Sequence, residues 1–228
     1  MPASCFGRRT FGGMFTAFAM LAVAFTMAPA KAFADPAAEQ YVAHDGNAAI
    51  AALSNRALAP PARQAQFRTL FLQLADVPSI SAYVLGPNGA RRRRADPALN
   101  AQWQAAFVDY AVAVYEDQLD QFRGNEMRVT GSTDRVPGSD VVVKTMITPR
   151  GTTTPMLVEW RVVKRGPGWK TVDASLVIGD SRIWLAQQQK IDFQSTLGTN
   201  ADVPTLIAII QRQTATMRAR IAARGSRT

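Results

Sequence analysis

Few residues of this sequence could carry out catalysis, and they are not grouped. His44 is the only histidine in the 228-residue chain, so a serine triad would have to use it as its general base. No serine lies in a Gly-x-Ser-x-Gly turn, and the chain has no Gly-rich phosphate loop. The His, Asp and Glu residues show no metal-ligand spacing. We therefore interpret His44 as an exposed helix residue and predict no catalytic residue, no metal site and no cofactor.

Asp173 is the one carboxylate that the pattern places near the middle of a strand, where it could act as a general acid or base in a cavity. It alternates with Thr171 and Ser175, however, and this alternation puts all three on the polar face of the strand. On the neighbouring strand, Glu159 and Arg161 are expected to form a cross-strand charge ladder. The pattern favours a polar sheet face over an active site.

Alternating apolar and polar residues predict the sheet that carries these side chains. The predicted strands are one that begins near Met127, then residues 141–147, 156–163 and 169–178. Gly166-Pro167-Gly168 predicts a turn between the last two strands, because Gly tolerates positive φ and Pro fixes its own φ. Gly179-Asp180 should end the last strand, and a helix is expected to follow and to end near Gly198.

Helices fill the rest of the predicted fold. They run from Asp35 toward Ala57, from Ala62 to Leu74, from Asp76 to Gly86, from Asp96 to about Arg123, and from Asp202 into a basic tail. In the long helix, Leu99, Trp103, Phe107, Tyr110 and Val114 keep one face apolar, so we expect it to lie across the sheet. The fold class is α+β, with a small, mainly antiparallel four-stranded curved sheet covered on one face by helices (a nuclear-transport-factor-like or cystatin-like arrangement).

Apolar and aromatic side chains are in surplus on the predicted inner faces. The aromatic ones are Trp103, Phe107, Tyr110, Trp160, Trp184 and Phe193. Each could belong to an ordinary packed core. Together they could also line a cavity between the curved sheet and its helices, which is the usual place for an apolar ligand.

A run of four arginines, Arg91 to Arg94, follows the predicted turn Pro87-Asn88-Gly89. One interpretation is a solvated loop beside the start of a helix. The other is a docking patch for an anionic headgroup or an acidic partner, formed by Arg91, Arg92, Arg93 and Arg94. The sequence pattern leaves both open.

Residues 1–34 have the order of a cleaved export signal. Arg8 and Arg9 precede an apolar run, Phe11–Met27, and Ala32-Phe33-Ala34 is a small-x-small cleavage site. The arginine pair is also compatible with twin-arginine export, but any signal needs basic residues, so the general secretory route is favoured.

Cleavage would leave residues 35–228 as a single domain with a basic tail. The only cysteine, Cys5, would be removed, so disulfides and thiolate chemistry are excluded from the mature chain. The formal charge of +9 would fall by the three charges of Arg8, Arg9 and Lys31, to +6. A basic exported protein could meet anionic lipid or an acidic protein, whereas nucleic acid is the least expected partner.

Five segments in a fixed order resemble one known family. They are Phe67-x-x-Leu70-Phe71, Val84-Leu85-Gly86, the helix from Trp103 to Tyr110, Gly168-Trp169-Lys170-Thr171-Val172-Asp173, and Gln189-Lys190-Ile191-Asp192-Phe193-Gln194-Ser195. The last is similar to a Gln-Arg-Ser-Glu-Phe-x-Ser segment of that family. By the order and spacing of these segments, the sequence resembles the MlaC family, also called the toluene-tolerance or auxiliary ABC-transporter family, over about residues 48–212.

The resemblance implies a monomeric periplasmic carrier that preserves outer-membrane lipid asymmetry. Members of the family hold a phospholipid by its acyl chains in a pocket between a small sheet and helices. They carry it between an outer-membrane lipoprotein complex and an inner-membrane ABC transporter, and some relatives are linked to hopanoid synthesis. The residues expected to line such a pocket are Val84, Phe107, Tyr110, Val114, Val143, Val158, Trp160, Val162 and Trp184.

Two departures from the family pattern bear on that expectation. The family follows Val-Leu-Gly with an aromatic pair, whereas this chain has Pro87-Asn88-Gly89 and four arginines. The family's Glu-Gly-Val-Ser turn is replaced by residues 177–181. Two other functions stay open: a non-catalytic periplasmic adaptor that binds an acidic protein, and a hydrolase or isomerase of small apolar molecules that uses Asp173.

Overall fold

The structure is a computed structural model that describes residues 35–55, 57–119, 122, 125–200 and 202–225. The predicted signal segment, residues 1–34, lies outside the described residues, as does the end of the basic tail, residues 226–228. None of the helices that the structure describes is both long enough and apolar enough to cross a membrane.

An antiparallel sheet of five strands follows the first group of helices. The strands are β1 Arg128–Val136, β2 Asp140–Ile147, β3 Met156–Arg165, β4 Gly168–Ile178 and β5 Ser181–Trp184. They lie side by side in chain order, and each pairs antiparallel with the next. The α+β class and the antiparallel sheet are therefore confirmed, but the sheet has five strands rather than four.

The additional strand corrects the predicted helix after Gly179-Asp180. Gly179 has φ 58° and turns the chain back on itself, so that Ser181–Trp184 pairs with Ser175–Ile178 before any helix begins. A four-residue strand offers too few alternations for a period of two to be recognised in the sequence.

A bulge in β4 corrects the predicted polar face. Asp173 pairs with Arg161, whereas Thr171 pairs with Val162, the next residue of β3, so Val172 has no partner in the ladder. One extra residue changes the alternation of side chains. Thr171 therefore lies on the apolar face with Val162, whereas Asp173 and Ser175 stay on the predicted polar face, opposite Arg161 and Glu159.

Seven α-helices accompany the sheet in the described part of the chain. They are α1 Pro36–Tyr41, α2 Asn47–Ser54, α3 Pro60–Leu74, α4 Val77–Arg94, α5 Pro97–Leu119, α6 Leu185–Leu197 and α7 Val203–Gly225. A π-helical turn, Val42–Gly46, joins α1 to α2. Asp35 and Asp96 stand before the Pro residues that open α1 and α5, and their carboxylates accept hydrogen bonds from Ala38 N and Leu99 N. The caps that the sequence predicts are confirmed.

Helix α4 continues through the predicted turn at Pro87-Asn88-Gly89. Gly86 alone leaves the helical conformation, with φ 65° and ψ 179°, and the helix resumes at once with Pro87 in its first turn. Arg91 to Arg94 therefore form the last turn of a helix and not a loop. Proline starts a helix as readily as it turns a loop, and the sequence pattern does not separate these two uses.

Two separate apolar clusters fill the interior. The helical cluster centres on Trp103, which is fully buried and lies 5.3 Å from Phe107 and 6.1 Å from Phe193 between ring centroids. The sheet cluster contains Val141, Val143 and Val162 of β2 and β3, with the N-terminal helices against them. This separation leaves space between sheet and helices.

The long helix α5 does not lie across the sheet as expected. It packs chiefly against α7 and α4, and its Trp103 and Phe107 belong to the helical cluster. Its last turns reach the sheet, through Leu119, which packs against both clusters. An apolar stripe shows that a helix buries one face, but it does not show which element covers that face. Here α7 supplies an apolar surface for α5 in place of the sheet.

Replacing Gly86 by Ala should lower the free energy of unfolding by about 2 kcal/mol, because its φ and ψ are in a region that only glycine adopts easily. An added Cβ would also stand 2.1 Å from Gln194 Nε2 of α6. Urea unfolding of Gly86→Ala, Gln194→Ala and the double variant separates the two causes. A Gly86→Ala protein as stable as the unmodified chain would contradict the strained conformation.

Candidate functional site

The space between the two clusters is an apolar cleft. Its walls are the π-helical turn, the facing sides of α3 and α4, the end of α5 and the inner face of the sheet. The non-atom space in this outer compartment, including the part open to solvent, is about 620 Å³. A deeper compartment of about 430 Å³ lies against Val158, Ala174 and Leu176. The compartments share Tyr115, Leu119 and Trp160, so they are neighbours around these three side chains.

Trp160 forms a fixed wall of both compartments. Its indole Nε1 donates to Thr145 Oγ1 at 3.0 Å, and Thr145 Oγ1 donates to Val158 O at 2.9 Å. Thr145 is fully buried on the neighbouring strand. Because the polar atom of the indole has a partner in the sheet, the rest of the ring is free to offer apolar surface to the cleft.

Two tyrosines line the outer compartment without bringing charge into it. Tyr41 donates from its hydroxyl to Leu74 O at 2.7 Å, and burial raises its pKa. Burial also raises the pKa of Tyr115 far above its ordinary value, and its ring lies 5.1 Å from that of Phe71. Both phenols therefore stay neutral at physiological pH. Asp45 is the one ionisable carboxylate among the lining residues, and its Oδ1 lies 2.6 Å from His44 Nδ1.

The π-helical turn is held against the sheet at the cleft. Asn47 donates from Nδ2 to Ala43 O and to Met127 O, and it accepts from Met127 N at 2.8 Å. Gly46 packs against the end of the Met127 side chain, which would have to shift if a Cβ were added there. The wall that Asp45 and Gly46 contribute is thus fixed to the start of β1.

The residues predicted to line a pocket divide between the two clusters. Val158 and Trp160 line the cleft. Val143 and Val162 lie on the same sheet face but are fully buried in the sheet cluster. Val84, Phe107 and Tyr110 belong to the helical cluster, Val114 is half-buried, and Trp184 lines a groove elsewhere. That Phe107, Tyr110 and Val114 face the sheet across bound acyl chains stays a prediction. Whether any of these side chains binds a ligand stays a prediction.

Tyr115 and Leu119 face the sheet, and sequence reasoning missed them. With Ala111 they form a second stripe of α5 at i, i+4 and i+8. This stripe continues the helix toward Phe122, which belongs to the sheet cluster. This second stripe could have predicted the contact with the sheet, but the aromatic stripe of Trp103 and Phe107 is more prominent in the sequence. Tyr41, Phe67 and Phe71 also line the cleft.

Asp173 holds the start of α6. Its Oδ1 accepts from Ala186 N at 2.8 Å and from Ala174 N at 2.9 Å, and the residue is 8% exposed. Burial raises its pKa, opposed by hydrogen bonds from the backbone and by the nearby charge of Arg161. The N-cap residue Trp184 offers no side-chain cap, so Asp173 supplies one from the sheet. This is a structural role, and nothing in its surroundings requires catalysis.

Glu159 and Arg161 form cross-strand ion pairs, as expected. Glu159 is 1% exposed and pairs with Arg182, whose Nε lies 2.6 Å from Glu159 Oε2. Arg161 pairs with Asp140, through Nη2 and Oδ2 at 2.7 Å. Asp140 comes from the neighbouring β2, whereas Arg182 comes from the unforeseen β5. In the part of the chain that the structure describes, no group of three His, Cys, Asp or Glu residues could hold a metal ion.

Arg91, Arg92 and Arg94 are exposed at the end of α4. Arg93 is half-buried and donates from Nη1 to Asn100 Oδ1 at 2.8 Å. Arg91 donates to Asn88 Oδ1 within the same helix. Three of the four cations are therefore available to a partner, and docking at Arg91 to Arg94 stays a prediction.

The model of the MlaC protein family matches residues 46–212 of this sequence. The chain belongs to the MlaC family. The match includes the π-helical turn's Gly46, the whole sheet and the first part of α7. The expected family is thus confirmed, over nearly the same residues as the resemblance.

A solved structure has the same fold as this MlaC-family chain. It is the phospholipid-binding protein from Ralstonia solanacearum in complex with a phospholipid, with a TM-score of 0.64 and 20% sequence identity. The match covers 79% of this chain and 98% of that one. No curated protein sequence matches this chain.

Replacing Asp173 by Asn should change how stability depends on pH. Because the folded-state pKa of Asp173 is raised from 3.8, the folded protein binds the proton more tightly than the unfolded chain. Stability is then greatest below the ordinary pKa and falls as pH rises through the raised one, by about 1.4 kcal/mol for each pH unit between them. Asn keeps the acceptor and cannot titrate.

Urea unfolding of both proteins between acid and neutral pH tests this role of Asp173. The unmodified chain should lose stability relative to Asp173→Asn as pH rises, and the difference should become constant above the raised pKa. A difference that is independent of pH would show that the buried carboxyl does not titrate in this way.

Proposed function

We propose that this protein is a periplasmic lipid carrier that holds phospholipid, or a related lipid such as a hopanoid, in the apolar cleft. The observation that carries the proposal is the gap between two complete apolar clusters, lined by Trp160, Tyr115 and Leu119 in a chain of the MlaC family. A structure of similar fold was solved with a phospholipid bound. The scattered catalytic groups favour binding over catalysis.

The energetics favour reversible transfer. Each methylene removed from water contributes about 0.8 kcal/mol, but acyl chains in a bilayer are already dry. A carrier therefore extracts lipid only if its pocket encloses the chains almost completely. The neutral phenols of Tyr41 and Tyr115 fit this requirement, since a charge in the wall would lose its solvent whenever lipid was bound.

The transport role is part of the same proposal. The protein would shuttle lipid, as a monomer, between an outer-membrane lipoprotein complex and an inner-membrane ABC transporter complex. Exposed Arg91, Arg92 and Arg94 support docking to acidic surfaces. Export by a cleaved signal, through the general secretory route, rests on the order of residues 1–34.

A second candidate function is a periplasmic adaptor whose basic surface binds an acidic protein and whose cleft is never occupied. The exposed arginines favour it as much as they favour a carrier. Purifying the protein from its native periplasm, extracting it with organic solvent and measuring the mass of the extract separates the two. A carrier should yield about one lipid or more per protein, and a protein that yields none would support the adaptor.

Val158→Glu should lose bound lipid while keeping its fold. Val158 is 4% exposed and lines the deeper compartment, so a carboxylate there would be desolvated and unpaired under lipid, at a cost of several kcal/mol. An empty cleft can admit water around the charge. Circular dichroism reports the fold, and lipid mass per protein reports binding.

Val136→Glu is the matched control for Val158→Glu, because Val136 is on the same sheet but 52% exposed. It should keep both fold and lipid. A folded Val158→Glu protein with full lipid occupancy would refute the placement of the ligand. An unfolded one would show that Val158 belongs to a solid core.

Changing Arg91, Arg92 and Arg94 to Ser should slow lipid transfer to acceptor membranes or partner complexes and weaken its dependence on salt. Exposed charges steer encounters over roughly a Debye length of 8 Å at physiological salt. The control variant removes the same charge from exposed Arg128, Arg150 and Arg212. Equal transfer rates for the two variants across a salt series would show that the α4 terminus has no special role in docking.

A further inference from the structure

A second concave surface lies on the outer face of the sheet, opposite the apolar cleft. Its floor is formed by β3 and β4 and its rim by the first turns of α4 and α6. Three arginines line it, Arg135 of β1 with Arg161 and Arg165 of β3, and we call it the arginine groove. The non-atom space in it, including the open part, is about 900 Å³.

Two of the three guanidinium groups are held in place by carboxylates. Arg161 donates from Nε to Asp140 Oδ1 at 3.0 Å and from Nη2 to Asp140 Oδ2 at 2.7 Å. Arg165 donates from Nε to Asp76 Oδ2 at 2.7 Å and from Nη1 to Lys164 O at 3.2 Å. These bonds leave Nη1 of Arg161 and Nη2 of Arg165 without a hydrogen-bond partner in the described part of the chain. A planar fork that is fixed on one edge is preorganised to bind on the other.

Arg135 adds a cation that no carboxylate neutralises. It is exposed, and among the described residues it has neither a hydrogen bond nor an ion pair. Asp173 is the one carboxylate that lines the groove. Its Oδ1 accepts hydrogen bonds from Ala174 N and Ala186 N, and burial raises its pKa. The groove therefore presents one guanidinium without a carboxylate partner, Arg135, beside the two ion-paired guanidinium groups of Arg161 and Arg165.

Aromatic side chains flank these cations. Tyr83 is 44% exposed, and Lys190 Nζ lies 4.6 Å from the centroid of its ring. Trp184 is half-buried on the opposite side of the groove. Ile80 lines both the arginine groove and the outer compartment of the apolar cleft, so the two sites adjoin at this side chain. A ligand with an apolar part joined to an anionic group could contact both.

We propose that the arginine groove binds a phosphate group through Arg135, Arg161 and Arg165. Guanidinium forks match the geometry of phosphate oxygens, and such charge-assisted hydrogen bonds are the strongest that proteins make. The phosphate comes either from the headgroup of the lipid held in the cleft or from free phosphate in solution. The first source rests on the proposed function, whereas the second does not.

Inorganic phosphate titrated against the delipidated full chain tests the site. Replacing chloride by phosphate at constant ionic strength separates binding from screening, and the amide and Trp184 indole resonances report on the groove. Arg135→Gln should weaken phosphate binding about tenfold, which corresponds to one charge-assisted hydrogen bond. Arg135→Lys keeps the charge but lacks the guanidinium fork. Its phosphate affinity should therefore lie between that of the unmodified chain and that of Arg135→Gln. Arg135 is the variant of choice because it has no structural partner.

The control variant Arg150→Gln removes an exposed charge elsewhere and should bind phosphate as the unmodified chain does. The same titration of lipid-loaded protein identifies the source. If the loaded protein no longer binds phosphate, the headgroup occupies the groove; if it binds equally, the groove takes free phosphate. The proposal is overturned if the delipidated protein shows no saturable phosphate binding, or if Arg135→Gln binds phosphate as well as Arg150→Gln. If the proposed carrier function is wrong, the solvent extraction yields no lipid. This failure is distinguishable from a failure of the phosphate site, which appears in the titration.

Discussion

The sheet must bury its apolar face against helices. Those helices also bury apolar side chains against one another, in a separate cluster. Trp103, Phe107 and Phe193 pack into each other between α5 and α6, while Val141, Val143 and Val162 pack against the N-terminal helices. Interiors are normally filled to the density of organic crystals. Because the aromatic side chains of α5 are committed to the helices, only its last turns are left for the sheet. The cleft beside Trp160 is the consequence of this division.

The residues on either side of the bulge in β4 hold the starts of two helices against the sheet. On one side of it, Thr171 O accepts from Asp76 N at 2.9 Å, which places the start of α4 at the edge of the sheet. On the other side, Asp173 accepts from Ala186 N and fixes the start of α6. The Thr171 carbonyl lies at the edge of β4 and the Asp173 side chain lies on its outer face, so one short stretch of the strand holds both helices. The same stretch thus positions helices that flank both the apolar cleft and the arginine groove.

Most charge near the sheet lies on its outer face, and the wall of the cleft contains one carboxylate, Asp45. Glu159 and Arg161 lie in the sheet, but their partners Arg182 and Asp140 are on the outer face with them. The cleft side offers hydroxyls whose hydrogen bonds are already made, such as Tyr41 to Leu74 O and Thr145 to Val158 O. A wall of satisfied polar groups and apolar carbon can be wetted or covered by an apolar ligand at little cost. The two faces of one sheet are therefore suited to different chemistries.

Some features followed from the sequence because they depend on neighbours along the chain. The alternation in β2 and β3, the Asp-Pro starts of α1 and α5 and the apolar faces of the helices all belong to this group. The family followed as well, since its segments keep their order, and so did Val158 and Trp160 as residues of the cleft.

The tertiary structure alone decided which apolar stripe meets which partner. Periodicity shows that α5 buries Phe107 and Tyr110, but it cannot show that α6 and α7 compete successfully with the sheet for them and leave Tyr115 and Leu119 to form the cleft. The partner of Glu159, Arg182, came from a strand too short to show a period. Contacts between residues distant in sequence are set by the sum of all packing choices, and a local pattern carries information only about the face that each segment buries.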